Sequence, residues 1–555
     1  MRNNIFFWIA NQMRRRIPAI LLLTLASMGH ALFGVCFALG SRGVIDSAVA
    51  GNSALFYRAC LWQASIIAGI IICLTISRHL TDRLNADLER DWKQKLLHGL
   101  LCGEYAEVKS YHSAELLNRL NNDVNRVNDG VLSILPSAAS MLTKILAAVA
   151  VLGYLDIRFA VLIGLLGCIV FTATGMMRRR LKELNKYVSE HDGKVSGFLQ
   201  EIMEKILMVQ AMDVSREVER RADELLDDRY VIQRKRKNVS LLTNTGISLT
   251  SYGAGFLALV WCAFRLLHGQ MSFGSLTAVI QLVNQLQSPF VSLSGVLPKY
   301  VAMIASAERL QELENIQAEA KCSQLDVHAL YREMRSIRAE ELGFSYDREP
   351  VMRNTEFNLP KGAFAVVTGP SGIGKSTLLK LLLGVFHPDQ GGLYLELGDR
   401  QIPLDRSLRR LFAYVPQGNL LLSGTLRDNL TIVNPDASEE ELRRAIYVSA
   451  MDEFLPGLPQ GLDTKLGENG TGLSEGQAQR LAIARAVLGG APILLLDECT
   501  SALDETTEQK VLQRLKELPD CTCIAVTHRP AALALCDWKL EAGNGKITAI
   551  PKMEQ

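Results

Sequence analysis

The chain is 555 residues long, 48% hydrophobic and 21% charged, with 60 Lys and Arg against 58 Asp and Glu for a net charge of +2. That length exceeds one ordinary domain, and so even a charge balance, with no basic stripe carrying interleaved aromatics, argues against a nucleic-acid partner. The 11 cysteines are scattered rather than paired and are read as structural, with no disulfide framework expected, and Cys521-Thr-Cys523 has no second pair to complete a zinc site.

Apolar runs long enough to cross a bilayer recur before residue 300 and are absent after it. Six are read, at 17–40, 56–77, 132–154, 157–177, 245–267 and 274–297, and none contains Asp or Glu. Cys36, Cys73, Cys168 and Cys262 lie inside them as small apolar residues. Arg14-Arg15-Arg16 precede the first run, Arg178-Arg179-Arg180 follow the fourth, and Arg234-Lys235-Arg236-Lys237 precede the fifth. The positive-inside rule then predicts a multi-pass protein with cytosolic N- and C-termini. A cleaved signal peptide over 1–40 is disfavoured, because the apolar stretch is too long and lacks a small-residue cleavage site.

The stretches 78–131 and 178–240 are charged, nearly free of Pro and Gly, and helix-patterned. Antiparallel helices of about 25 residues would project more than ~30 Å from the bilayer. The segment Ser113–Asp123 is read as the turn of the first hairpin and Met208–Asp213 as that of the second. These are either solvated coiled hairpins or levers that touch a following cytosolic domain. Polar groups deep in apolar runs are costly and so mark candidate substrate contacts: His30, Lys144, and the stripe Gln281, Asn284, Gln285 and Ser288. The competing reading is helix–helix glue for the amides and snorkelling for Lys144.

After residue 332 the chain changes character. The apolar strand Phe364–Thr368 runs into Gly369-Pro-Ser371-Gly372-Ile-Gly374-Lys375-Ser376 and a helical run from Thr377. In a strand–loop–helix setting this glycine-rich loop turns successive N–H groups toward phosphates, and the helix offers its positive end. Lys375 reaches the outer phosphates and Ser376 is placed to ligate Mg2+. Gln417 follows the strand Phe412–Val415, and Leu473-Ser474-Glu475-Gly476-Gln477 opens a helix. Pro492–Glu498 is an apolar strand ending in two carboxylates, Asp497 for Mg2+ and Glu498 for the attacking water. His528 ends the strand Cys523–Thr527. Five such features in one order specify an ATPase.

These motifs make residues 333–555 similar to the nucleotide-binding domain of an ATP-binding-cassette (ABC) transporter. Ser501–Asp504 resembles the family's D-loop, and Thr464–Gly470, with Glu468, its X-loop. The whole chain resembles a bacterial half-transporter of the exporter type: a six-helix transmembrane domain (1–312) with long cytosolic extensions, a linker (313–332), and an α/β P-loop ATPase domain (333–555).

The resemblance implies ATP and Mg2+ as cofactors, a bacterial inner (plasma) membrane setting, and a second half-transporter as partner. A homodimer is favoured over a heterodimer because no catalytic position is degenerate. Each ATP would lie between Gly369, Ser371, Gly372, Gly374, Lys375, Ser376 and Thr377 of one copy and Ser474, Gly476 and Gln477 of the other, with Tyr346 stacked on adenine and Asp504 linking the two sites. Ser376, Gln417 and Asp497 would hold Mg2+, while Glu498, His528 and Gln417 would serve catalysis. Glu468 would meet the partner's second hairpin. Glu475 stands where Gly is commonest and adds a negative charge, and Cys499 replaces the usual Ala.

No peptidase domain precedes Met1–Arg16, so leader cleavage is not expected. The expected activity is ATP-driven export of a peptide, lipid or drug-like molecule. The alternatives are a nucleotide-gated channel or sensor, which has no need of Glu498, and an importer, which the fusion after six spans disfavours. A cavity with Lys144 and His30 but no carboxylate suits neutral, zwitterionic or anionic cargo.

Overall fold

The structure is a computed structural model that describes residues 2–319, 326–346, 349–398, 400–418, 421–467 and 472–552. Helix α1 (Arg2–Gln12) precedes α2 (Ile17–Val49) and α3 (Ser53–Cys102); α4 (Tyr105–Lys109), α5 (Ser113–Asn118) and a π-helical turn, Arg119–Asp123, lead to α6 (Val124–Leu155). Then come α7 (Ile157–Glu204), α8 (Ile206–Ala211), α9 (Ser215–Leu267) and α10 (Phe273–Glu314). The chain forms two compact units, one of residues 1–98 with 113–315, the other of residues 99–112 with 316–555.

In the first unit every apolar run falls within one of the long helices α2, α3, α6, α7, α9 and α10, which are 32 to 53 residues long. Among the described residues, four helical stretches are long and apolar enough to cross a membrane: Arg14–Val49, Ser53–Cys102, Ser113–Leu155 and Ser215–Leu267. Helix α10 packs on α6, α2 and α9, and α7 on α9. The buried seam is Val35, Ala38, Ala148, Leu152, Phe159, Ala258, Leu282 and Val283. Large apolar side chains such as Leu25, Leu146 and Phe256 face outward, as in a membrane protein whose outer solvent is hydrocarbon.

Two carboxylates order the short connections between helices. Asp156 caps α7, accepting from the N–H of Arg158 (3.1 Å) and Phe159 (3.3 Å), and also accepts from the indole of Trp261 at 3.0 Å and from Arg265. Asp46 accepts from the Ser272 hydroxyl and the Gly274 N–H, both at 2.9 Å, fastening the start of α10 to the end of α2.

The hairpin tips test the expected turns differently. The second reverses around α8, at the expected Met208–Asp213. The first does not turn at Ser113–Asp123, which is helical; the chain reverses earlier, around Gly103–His112. The reason is an ionic anchor far away in sequence. Asp123, fully buried, accepts from Arg309 Nε at 2.7 Å and from the Ser306 hydroxyl at 2.8 Å, and Arg119 donates to the Arg309 carbonyl and Glu312. The turn Arg119–Asp123 is thereby bound to α10 along the ascending arm.

In the second unit α11 (Val327–Glu333) runs into β1 (Met334–Tyr346), which pairs antiparallel with β2 (Glu349–Pro360) and β4 (Gln390–Leu397); β4 in turn pairs with β5 (Arg400–Pro403). Between them lie β3 (Phe364–Thr368) and α12 (Lys375–Leu382). Next are β6 (Phe412–Val415), β7 (Gly424–Thr425), α13 (Leu426–Thr431), α14 (Glu439–Val448), β8 (Lys465–Leu466), α15 (Glu475–Leu488) and β9 (Ile493–Asp497). The chain ends with α16 (Glu505–Lys516), β10 (Thr522–Val526), α17 (Pro530–Leu535), β11 (Trp538–Gly543) and β12 (Lys546–Pro551). A six-stranded sheet of order β12-β11-β3-β10-β9-β6 is parallel except for β12. Its central strands are fully buried, β9 and β10 throughout and β3 but for its last residue, as expected for a sheet covered on both faces. All its parallel strands therefore point the same way, and the loops after β3, β6, β9 and β10 converge at their carboxyl ends.

Candidate functional site

The loop after β3 is shaped by its glycines. Gly369, Gly372 and Gly374 have φ of 145°, 80° and 104°, a region that side chains disfavour. At Gly369 a Cβ would lie 2.4 Å from the Ala542 carbonyl oxygen, and at Gly374 2.5 Å from Val351 Cγ1, so neighbouring strands press directly on the loop. Helix α12 opens immediately after, at Lys375.

Lys375, only 6% exposed, folds back over this loop. Its ammonium donates to the carbonyls of Gly369 (2.6 Å) and Pro370 (3.1 Å) and meets His528 Nε2 at 2.8 Å. As an ammonium can only donate, Nε2 of His528 accepts. Ser376 donates to Asp497 Oδ1 at 3.0 Å and Tyr414 to Asp497 Oδ2 at 3.1 Å. Burial raises the Asp497 carboxyl above the usual range, outweighing these two hydroxyls, and Glu498 adds to the rise. Burial and the Asp497 charge likewise push the Tyr414 phenol up. Gln417 donates its amide to Glu498 Oε2 at 2.7 Å. Glu498 has φ of 48°, and its N–H is tied to the Val526 carbonyl at 3.0 Å, which fixes the sharp turn after β9.

The structure thus brings Lys375, Ser376, Gln417, Asp497, Glu498 and His528 to one sheet end. Ser376 and Asp497 present hard oxygen donors side by side, and the Gln417 amide oxygen is a third such donor, a set whose chemistry fits Mg2+. Tyr346 is 38% exposed, with its hydroxyl 3.2 Å from Thr377 Oγ1. Ser474 caps α15 through a capping box with Gln477, and Gly476 lies so close to the Ala502 carbonyl that a Cβ would come within 2.8 Å. Asp504 caps α16; the Thr506 hydroxyl and the Thr507 N–H hold its carboxyl well below the usual range. Of the X-loop residues, Glu468 to Gly470 lie outside the described residues.

Three positioning residues escape sequence reading. Tyr414 fixes one Asp497 oxygen. Gln479 grips the D-loop through Ser501 Oγ and the Ala502 N–H, both at 3.0 Å. Arg529 donates to the Ser501 carbonyl and lies 3.5 Å from buried Glu508. A polar residue inside an otherwise apolar helix face was the available signal for Gln479.

The candidate substrate residues are less convergent. Gln285 on α10 donates to the Gly34 carbonyl of α2 at 2.8 Å, one turn beyond His30. Gln281 is half-buried and Asn284 exposed. Among the described residues, His30 Nδ1 and Gln281 Oε1 have no partner. Lys144 is half-buried on α6; the Ser288 side chain lies outside the described residues.

Residues 18–290 match the family description "ABC transporter transmembrane region" and residues 352–501 the description "ABC transporter". The chain is 28% identical over 442 residues to an ATP-dependent lipid A-core flippase of Photobacterium profundum, covering 78% of this chain and 74% of that protein. It is 32% identical over 378 residues to a cyclolysin secretion/processing ATP-binding protein of Bordetella pertussis, where it spans 67% of this chain but only 52% of the relative. A solved bacterial Atm1-family ABC exporter with ATP bound shares its fold, with a TM-score of 0.77 at 23% identity, over 96% of this chain and 94% of that one.

Proposed function

Given that the chain belongs to the ABC transporter family and is an ATPase coupled to membrane transport, we propose that it is an exporter working as a homodimer by alternating access. The observation that carries the reading is the meeting of four separated motifs at one sheet end, through the contacts Lys375–His528, Ser376–Asp497 and Gln417–Glu498. On this reading the loop from Gly369 to Thr377 cradles the phosphates, and Ser376, Asp497 and Gln417 hold Mg2+, which neutralises charge on the outer phosphates. Glu498 orients the attacking water, and His528 faces the terminal phosphate. Ser474, Gly476 and Gln477 of a second copy close the site, so ATP favours the paired arrangement because only that arrangement supplies both halves.

Closure draws on the long helices and turns the cavity from the cytosolic side, where both termini lie, to the other face of a bacterial inner membrane. For cargo we favour a zwitterionic or anionic molecule, a lipid headgroup or a peptide carboxylate, taken up near His30, Lys144, Gln281, Asn284 and Gln285. Runs free of Asp and Glu support this, and so does the lipid A-core named for the Photobacterium relative.

The test is ATP hydrolysis by this chain alone in bilayer discs, against Glu498→Gln. Turnover that falls at least about 100-fold in the variant, with ATP binding retained, supports a self-sufficient pump. Absence of turnover in folded, ATP-binding wild type sinks the homodimer, and wild-type turnover equalled by the variant sinks the role of Glu498.

A further inference from the structure

Residues 99–112 belong to the same compact unit as the nucleotide fold, and they are gripped there in two ways. The main chain pairs with the segment after α10. Gly103 bridges Ala318, the Glu104 N–H donates to the Gln317 carbonyl at 2.9 Å, and the Glu319 N–H donates to the Cys102 carbonyl at 2.9 Å. The Glu319 carboxylate is then held by Arg406 (2.8 Å) and by Arg409 (3.1 Å), which also donates to the carbonyls of Leu383 and Gly384 at the end of α12.

The second grip is aromatic. Tyr105 sets its edge against Phe386, with ring centroids 5.9 Å apart at 69°. Phe386, 8% exposed, meets Phe344 at 5.4 Å and Tyr346 at 5.5 Å and 88°. Tyr346 also meets Phe344 edge-on at 5.0 Å, and its hydroxyl reaches Thr377 at the phosphate loop. Edge-to-face pairs have a preferred geometry, so the angle of the Tyr346 ring is set by Phe344 and Phe386, and Phe386 is in turn backed by Tyr105.

We propose that Tyr105 is a positioning residue for nucleotide-base recognition, acting through Phe386 on Tyr346, so that seating of the first hairpin tip tunes affinity for the adenine end of ATP. The proposal rests on the reading of Tyr346 as the adenine-stacking ring. By linkage the effect is reciprocal: base occupancy stabilises the seat of Tyr105. The aromatic contact, rather than the hydroxyl, does the positioning, since Tyr105 is 40% exposed and touches Phe386 with its ring.

The experiment measures KM for ATP and the inhibition constant of inorganic triphosphate, which has no base, on the full chain in bilayer discs. Tyr105→Ala is expected to raise KM for ATP about 3- to 10-fold, the loss of one aromatic pair, with triphosphate inhibition unchanged. Tyr105→Phe is expected to behave as wild type. Equal shifts for ATP and triphosphate, or no shift in either, overturn the proposal, as does a Tyr105→Phe variant as impaired as the alanine one. Tyr346→Ala separates the two layers. If it raises KM while Tyr105→Ala does not, only the positioning role fails; if it leaves KM unchanged, the stacking reading fails and the proposal with it.

Discussion

Gly369 and Gly372 sit three residues apart in one loop, and both have backbone angles that favour glycine, yet they face different surroundings. A methyl at Gly369 would strike the Ala542 carbonyl at 2.4 Å, whereas at Gly372 nothing lies within 4 Å. Gly372→Ala should therefore cost only the backbone strain, about 1–2 kcal/mol. Gly369→Ala adds a clash with main chain that cannot rotate away, and should cost roughly 1–3 kcal/mol more. Thermal unfolding of the two variants, read with nucleotide-binding titrations, checks this: Gly369→Ala should show the lower midpoint and lose binding, and Gly372→Ala should keep a folded unit. Equal midpoints would refute the contact with Ala542. The glycines themselves were legible in the sequence because the motif is local, with strand, loop and helix all within about twenty residues. What Gly369 leans on was not, since Ala542 comes from a strand far along the chain.

At the scale of elements, the same division holds. Each apolar run lies in one long helix, and the phosphate loop, the helix start after Ser474 and the strand ending at Asp497 lie on the elements expected of them, because hydrophobic periodicity and caps are local signals. The tip of the first hairpin was misplaced because its position depends on Asp123 meeting Arg309 across 186 residues, a pairing that no local pattern announces.

Another long-range tie yields a prediction. Glu314, the last residue of α10, accepts from the Trp8 indole at 2.7 Å and the Gln12 amide at 2.8 Å, and pairs with Lys95. Burial alone raises its carboxyl, but the bonds from Lys95, Trp8 and Gln12 outweigh that and hold it below the usual range. A carboxyl lowered on folding contributes stability above its unfolded value, near 4.5, and loses it as pH falls through the lower folded value. Helix α1 should therefore stay docked at neutral pH and loosen as the medium is acidified below that range. Trp8 stands 5.2 Å from Trp92, so tryptophan emission reports the release. Glu314→Gln should show the loosened signal already at pH 7; a variant spectrum identical to wild type across the titration would remove Glu314 as the anchor.

At the scale of the whole molecule, the proposed site divides one task between the phosphate loop and the helix α15 that begins after Ser474. The first offers Lys375 and the N–H groups after β3, and the second a helix start capped by Ser474. If each site is completed by a second copy in two-fold symmetry, two differently broken chains can repair each other. Lys375→Ala disables the loop, and Ser474→Glu places a carboxylate against the phosphates. Alone, each variant should fail to trap ATP, since both sites of its dimer carry the lesion. In a mixed dimer one site gathers both lesions and the other none. Random pairing makes about half of the dimers mixed, so trapping should return to roughly a quarter of the wild-type level. Wild type mixed with the doubly substituted chain supplies the contrast, because its mixed dimers hold one lesion in each site and no intact site. Should the singly substituted chains fail to complement, and the wild-type chain trap ATP undiminished beside the double variant, each copy would be completing its own site.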